Sequence, residues 1–114
     1  MSTLKVTNIQ ATGETASRAV SGVAAAWNST NAAGTTINDS MNISSLTDVG
    51  IGAQDHNVSS SFANGYYTAV FSVAANYNQQ WVDPTNTTYW RTNNYDGAAY
   101  QDTIIRTVAH GDLA

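Results

Sequence analysis

Residues 41–62 read MNISSLTDVGIGAQDHNVSSSF, and the fold turns on how this stretch is taken. On its leading side Ile37, Met41 and Ile43 fall on one parity; on its trailing side His56, Val58, Ser60 and Phe62 fall on one parity. Side chains that alternate at period two line one face of a strand. Between the two alternating flanks lie Gly50 and Gly52, which supply the backbone freedom a tight reversal requires. The reading is a β-hairpin, with TTINDSMNISSL as one strand, TDVGIGAQ as the turn and DHNVSSSF as the returning strand.

Further on the strand signals continue. ANG breaks the chain before YYTAVFSVAANY, the most apolar run, and Pro84 and Gly97 mark loops within QQWVDPTNTTYWRTNNYDGAAY. The β-branched residues of TIIRTVAHG suit a last strand. Many short strands at close spacing predict a mainly β chain, an antiparallel β-sandwich or barrel-like domain.

Upstream the period changes. Ala16, Val20, Val23 and Trp27 step by four, three and four residues, the spacing of one stripe on a helix. Thr12 can cap its start, Glu14 sits where a carboxylate meets the positive end of the helix dipole, and Asn28 can stop it. The sequence therefore predicts one N-terminal α-helix. Some four turns with Gly22 inside are too short to stand alone in water. Two ways of burying the stripe remain open, against the chain's own sheet or in a seam shared with identical chains. Residues 1–12 read as an extended arm, and residues 13–114 as one β domain that begins with the helix.

Ser, Thr, Asn and Gln make up 43 of the 114 residues, the charged residues only 11%, and the net charge is −4. Lys5, Arg18, Arg91 and Arg106 are the only strong cations, too few and too scattered to track a phosphate backbone. Nucleic acid is excluded as the expected partner. The absence of cysteine rules out disulfides and thiolate chemistry. No run of about 20 apolar residues is present to insert in a membrane, and MSTLKVTNIQ has no apolar core of a secretion signal.

Catalysis requires a positioned base, acid or nucleophile. His56 and His110 are the only histidines, the carboxylates are dispersed, and no Ser occupies a nucleophile elbow. The chain is expected to be non-catalytic and to carry no cofactor. QDH at 54–56 and HGD at 110–112 place an imidazole beside a carboxylate, a weak metal signal that only a symmetry axis, best at His110, would turn into a site. The aromatic segment offers more. Trp81, Tyr89, Trp90, Arg91 and Tyr95 are residue types that stack on sugars or anchor interfaces, and equally ones that fill a small core. Core, protein interface and glycan surface all stay open for them.

RAVSGVAAAWN, the DSMNISSLTDVGIGAQDHNVSSSF stretch and ANGYY together resemble a module found near the C-termini of tail fibre and related appendage proteins of tailed phages, especially marine ones. Arg18, Ala19, Trp27, Asn28, Asp39, Asn42, Ser44, Ser45, Thr47, Asp48, Gly50, Gly52, Phe62 and Tyr66 occupy its characteristic places. The likeness covers residues 18–70 and leaves out the aromatic segment from Trp81 onward. It implies a virion protein made in the bacterial host cytoplasm: a homotrimeric fibre or appendage subunit on tail or capsid, involved in attachment. A chain of 114 residues without a shaft would then be a minimal fibre head, a head fibre or decoration subunit, or an adaptor. On this resemblance the Ala16, Val20, Val23, Trp27 stripe becomes a shared three-fold seam, the arm a strand added to other virion proteins, and a host surface glycan a candidate ligand. A capsid decoration protein without host ligand and a free carbohydrate-binding module are the alternatives.

Overall fold

The computed structural model describes residues 2–10, 12–13, 18–19, 23–74 and 79–114. Among these the chain is mainly β, with two four-stranded antiparallel sheets and one two-stranded pair. The short pair joins β1 (Asn8–Ile9) to β2 (Arg18–Ala19). The first large sheet runs in the order β4 (Ile37–Met41), β3 (Ala24–Thr30), β10 (Ile105–His110), β7 (Thr68–Val73). The second runs β5 (Ile43–Gly50), β6 (Ala53–Val58), β9 (Tyr89–Tyr95), β8 (Gln79–Thr85).

The central hairpin is present, but its turn is tighter than expected: residues 47–50 and 53–54, read as part of the turn, belong to the two strands. Strands β5 and β6 pair antiparallel, Leu46 opposite His56 and Asp48 opposite Gln54, around Ile51 and Gly52. Gly52 has φ +70°, and a Cβ there would stand 2.6 Å from the Asn94 carbonyl oxygen and 2.7 Å from the Gln101 backbone nitrogen. Only glycine meets both demands. Its amide donates to Asp102 Oδ1 at 2.7 Å and its carbonyl accepts from Asn94 N at 2.9 Å, so the turn is tied to the neighbouring strand and loop.

The segment 35–46, expected as one strand, is two. Asn42 adopts φ +57° between β4 and β5, a left-handed conformation that Asn tolerates better than most residues. Its side chain makes the break stable: Nδ2 donates to the Ala25 and Ser60 carbonyls at 3.1 Å each, and Oδ1 accepts from Ser60 N at 2.7 Å. At this residue the chain leaves one sheet and enters the other.

The expected N-terminal helix is corrected where the chain is described. Ala24–Thr30 is strand β3, hydrogen-bonded between β4 and β10, and Arg18–Ala19 is extended as well. Asn28, expected as a helix stop, lies mid-strand. Val23 and Trp27 are four residues apart, an even spacing that places two side chains on one face of a strand as well as on one stripe of a helix. Two flanking strands supply backbone partners that the modest helix preference of alanine cannot outweigh. Ala16 and Val20, the other half of the stripe, lie outside the described residues.

Small side chains on β3 and β10, Ala25, Ala26 and Ala109, are buried beside the aromatic centre of the core. Phe62 and Tyr67 stack with ring centroids 3.8 Å apart, and Trp90 meets both edge-on at 6.5 Å. His56 stacks on Trp90 at 5.3 Å. Much of the remaining interior is polar, with Asn28, Thr30, Thr92, Asn94, Thr103 and Thr107 all buried. Several of these hydrogen-bond across the core. Trp90 Nε1 donates to Thr107 Oγ1 at 3.0 Å, Thr107 Oγ1 donates to the Val70 carbonyl at 2.9 Å, and Ile105 N donates to Thr30 Oγ1 at 3.0 Å. The abundance of Thr and Asn in the strands thus serves the inside of the domain as well as its surface.

Candidate functional site

Strand β9 sorts the aromatic segment by parity. Trp90, Thr92 and Asn94 are fully buried, whereas Tyr89, Arg91 and Tyr95 are partly exposed on the opposite, outward face. Trp90, expected on a ligand or partner surface, is therefore corrected to the core. Its neighbours in the sequence face out because successive side chains of a strand point to opposite faces.

Register brings further residues to that outward face. Asp55 on β6 stands opposite Arg91, Ala53 and Trp81 flank Asn93, and Gln79 lies opposite Tyr95. Arg91 Nε donates to Asp55 Oδ1 at 2.6 Å and an Nη donates to Oδ2 at 3.0 Å, a two-pronged, charge-assisted pair. That hydrogen bond is the main cause holding the guanidinium above its ordinary pKa, and it ties the side chain across to β6. Asn93 Nδ2 donates to the Asp83 carbonyl at 3.1 Å, and Asn57 Nδ2 donates to Thr47 Oγ1 at 2.9 Å. The polar groups of this face are held before any ligand arrives.

An aromatic corner closes one end of the face. Trp81 is 38% exposed and Tyr100 47% exposed, their rings 6.2 Å apart, and Tyr95 meets Tyr100 edge-on at 5.3 Å. The connecting loop is organised by Asp96, whose carboxylate accepts from Ala98 N and Ala99 N at 2.8 Å each and from Gln101 Nε2 at 2.9 Å. The backbone bond from Ala99 is the first cause lowering the pKa of Asp96. Tyr100 is thereby set against Trp81 and Tyr95 at a backbone bridge to Tyr95.

Of the five residues singled out in the sequence, Trp81, Tyr89, Arg91 and Tyr95 share this face and Trp90 does not. Tyr100 joins them, and Asp55 and Asn93 share the face by register although their neighbours cover them almost completely. The alternation of Tyr89, Arg91, Asn93 and Tyr95 is visible in the sequence, but the pairing of Arg91 with a residue 36 positions away is not.

Neither histidine belongs to this face. His56 is wholly buried, its Nε2 3.0 Å from Thr92 Oγ1, and burial pushes its pKa down to about 3. His110 is exposed at the end of β10, opposite Thr68. Among the described residues no three of His, Cys, Asp and Glu converge to hold a metal, and no helix is long and apolar enough to cross a membrane. The arrangement offers stacking surfaces and fixed hydrogen-bonding groups, the elements of recognition.

The residues expected in an oligomer seam have different surroundings. Val23 is half exposed just before β3 and lines an open groove of about 880 Å³ with Val6 of the arm, Met41 and Leu113. Trp27 lies on β3 at the opposite parity to buried Ala26 and Asn28, on the outer face of its sheet. The arm pairs within the chain through β1 and β2, while Leu4 stays exposed. Comparison of the chain with protein-family models, with curated proteins and with solved structures gave no match.

Proposed function

We propose that this chain is a non-catalytic attachment subunit of a phage virion appendage, and that it binds a neutral surface saccharide through the outer face of the β5-β6-β9-β8 sheet. The observation that carries the binding role is the aromatic corner of Trp81, Tyr95 and Tyr100 beside the fixed Arg91–Asp55 pair and Asn93. Aromatic faces stack on the apolar faces of sugar rings, and the amide and the charged pair match hydroxyl groups. The virion setting rests on the resemblance of residues 18–70 to appendage modules. A surface with few charges retains its binding properties in salt, where exposed ion pairs are screened.

A capsid decoration protein without host ligand is the second reading. The exposed arm, with Leu4 at 85%, and the apolar groove beside Val6 and Met41 favour it, because such features suit a protein partner better than a sugar.

A glycan array followed by titration of the best hit separates the two. Trp81→Ala and Tyr95→Ala should each weaken saccharide binding by about 1 kcal/mol or more, roughly fivefold or greater, with little change in melting temperature. Absence of any saccharide hit, together with binding to DNA-filled capsids, would favour decoration and sink the attachment reading.

A further inference from the structure

The outer face of the other sheet carries a pattern of its own. Along the register of the β4-β3-β10-β7 sheet, Met41 stands opposite Trp27, Trp27 opposite Val108, and Val108 opposite Val70. Four adjacent strands thus present four apolar side chains in one row. Met41 is 41% and Val70 52% exposed, with Trp27 and Val108 half buried between them. The alternate residues Ala26, Asn28, Thr107 and Ala109 are at most 4% exposed, so the row faces away from the core. Contiguous apolar surface of this kind marks an interaction site more often than isolated exposed residues do.

The next row along the strands reads Asp39, Ser29, Arg106, Ser72. Asp39 and Arg106 stand two strands apart, about 10 Å at ordinary strand spacing. Among the described residues neither has an ion-pair partner.

We infer that this face binds a second copy of the chain, the two sheets packing face to face about a two-fold axis that runs along β3. Turning a copy over about β3 exchanges the positions of β4 and β10. The partner's Arg106 then faces Asp39, Asp39 of the partner subunit faces Arg106, the two Trp27 rings meet on the axis, and Met41 meets the partner's Val108. A surface that complements itself in charge and in apolar content is the signature of an isologous two-fold contact, and packed sheets tolerate a crossing of about 30°. A three-fold ring joins two unlike surfaces and would leave this match unused. The inference does not depend on the saccharide reading. It does add that the two aromatic corners, on the far sheets, would point outward from the dimer and could bind two sites at once.

The test is sedimentation of the full chain across a micromolar concentration series. The wild-type protein should dimerise, and Asp39→Arg alone or Arg106→Asp alone should weaken dimerisation at least tenfold, because each places like charges opposite one another twice. An equimolar mixture of the two single variants should associate as tightly as wild type, since in the mixed dimer each contact across the axis joins an arginine of one variant to an aspartate of the other; the double variant Asp39→Arg with Arg106→Asp, in which both cross-axis pairs are restored with their signs exchanged, should likewise dimerise as wild type does. Met41→Glu, at an exposed position that meets the partner's Val108 in this arrangement, should weaken association similarly, and decides the matter should either charge variant fail to fold by circular dichroism. A wild-type monomer throughout would show that the face is bare or covered by the chain's own N-terminal segment, and would overturn the inference. So would a trimer, unchanged mass in the single variants, or a double variant that stays monomeric.

Discussion

Trp90→Ala should cost about 3 to 5 kcal/mol of folding stability, the range for deleting a large buried aromatic side chain. Trp90 is completely buried among Phe62, Tyr67 and His56, so its removal strips contacts from three other rings at once. The loss also removes the indole donor to Thr107 Oγ1. Against a total stability of about 5 to 15 kcal/mol for an ordinary domain, such a loss brings the protein close to unfolding at ambient temperature. Urea denaturation followed by far-ultraviolet circular dichroism measures it. Trp90→Phe keeps most of the ring and should cost much less, since the Thr107 hydroxyl still donates to the Val70 carbonyl. Trp81→Ala, on the outer face, should leave the denaturation curve nearly unchanged. Equal effects at positions 81 and 90 would contradict the assignment of one to the surface and the other to the core.

Mild acid should destabilise the protein through His56. The unfolded chain takes up a proton at this residue near the ordinary value of 6.5, whereas the folded protein resists protonation down to about pH 3 because the ring is buried. Its surroundings give a positive charge nothing to pair with. Trp90 covers one face, Thr92 offers a hydroxyl to Nε2, and Nδ1 has no partner among the described residues. The unfolded state therefore binds the extra proton, and the stability due to the neutral ring is complete above pH 6.5 and declines as pH falls toward 3. The slope is about 1.4 kcal/mol per pH unit, so lowering the pH from about 7.5 to about 4.5 should cost roughly 3 kcal/mol. Most of this window lies above the range in which ordinary carboxylates titrate. In His56→Gln the slope between about pH 6.5 and about pH 4.5 should flatten, whatever the variant's absolute stability. A slope equal to that of wild type would place the pH sensitivity elsewhere.

Both results depend on positions whose chemistry is plain in the sequence but whose orientation is not. The alternating residues around Gly50 and Gly52 determine a hairpin locally, because period two and a glycine turn need no information from distant segments. The strand character of residues 68–73 and 105–110 is legible for the same reason, in β-branched and aromatic side chains. So is the separation of Tyr89, Arg91 and Tyr95 from Trp90, since parity along a strand assigns them to opposite faces once the segment is known to be extended.

What the tertiary structure alone decided is which face became the inside, and where a local preference gave way. Parity does not say whether Trp90 or Arg91 points to the core; that depends on which side of β9 the other sheet packs against. Asp55 and Arg91 meet because β6 and β9 are neighbours in the sheet although far apart in sequence, a consequence of topology that no local spacing records. Residues 24–27 read as the end of a helix because alanine favours helix and because a spacing of four fits both periods, yet Ala24–Thr30 is a strand. It is a strand because β4 and β10 satisfy its backbone on both sides. Residue spacing determines periodicity, and hydrogen bonding to distant strands determines which of two compatible periods the chain adopts.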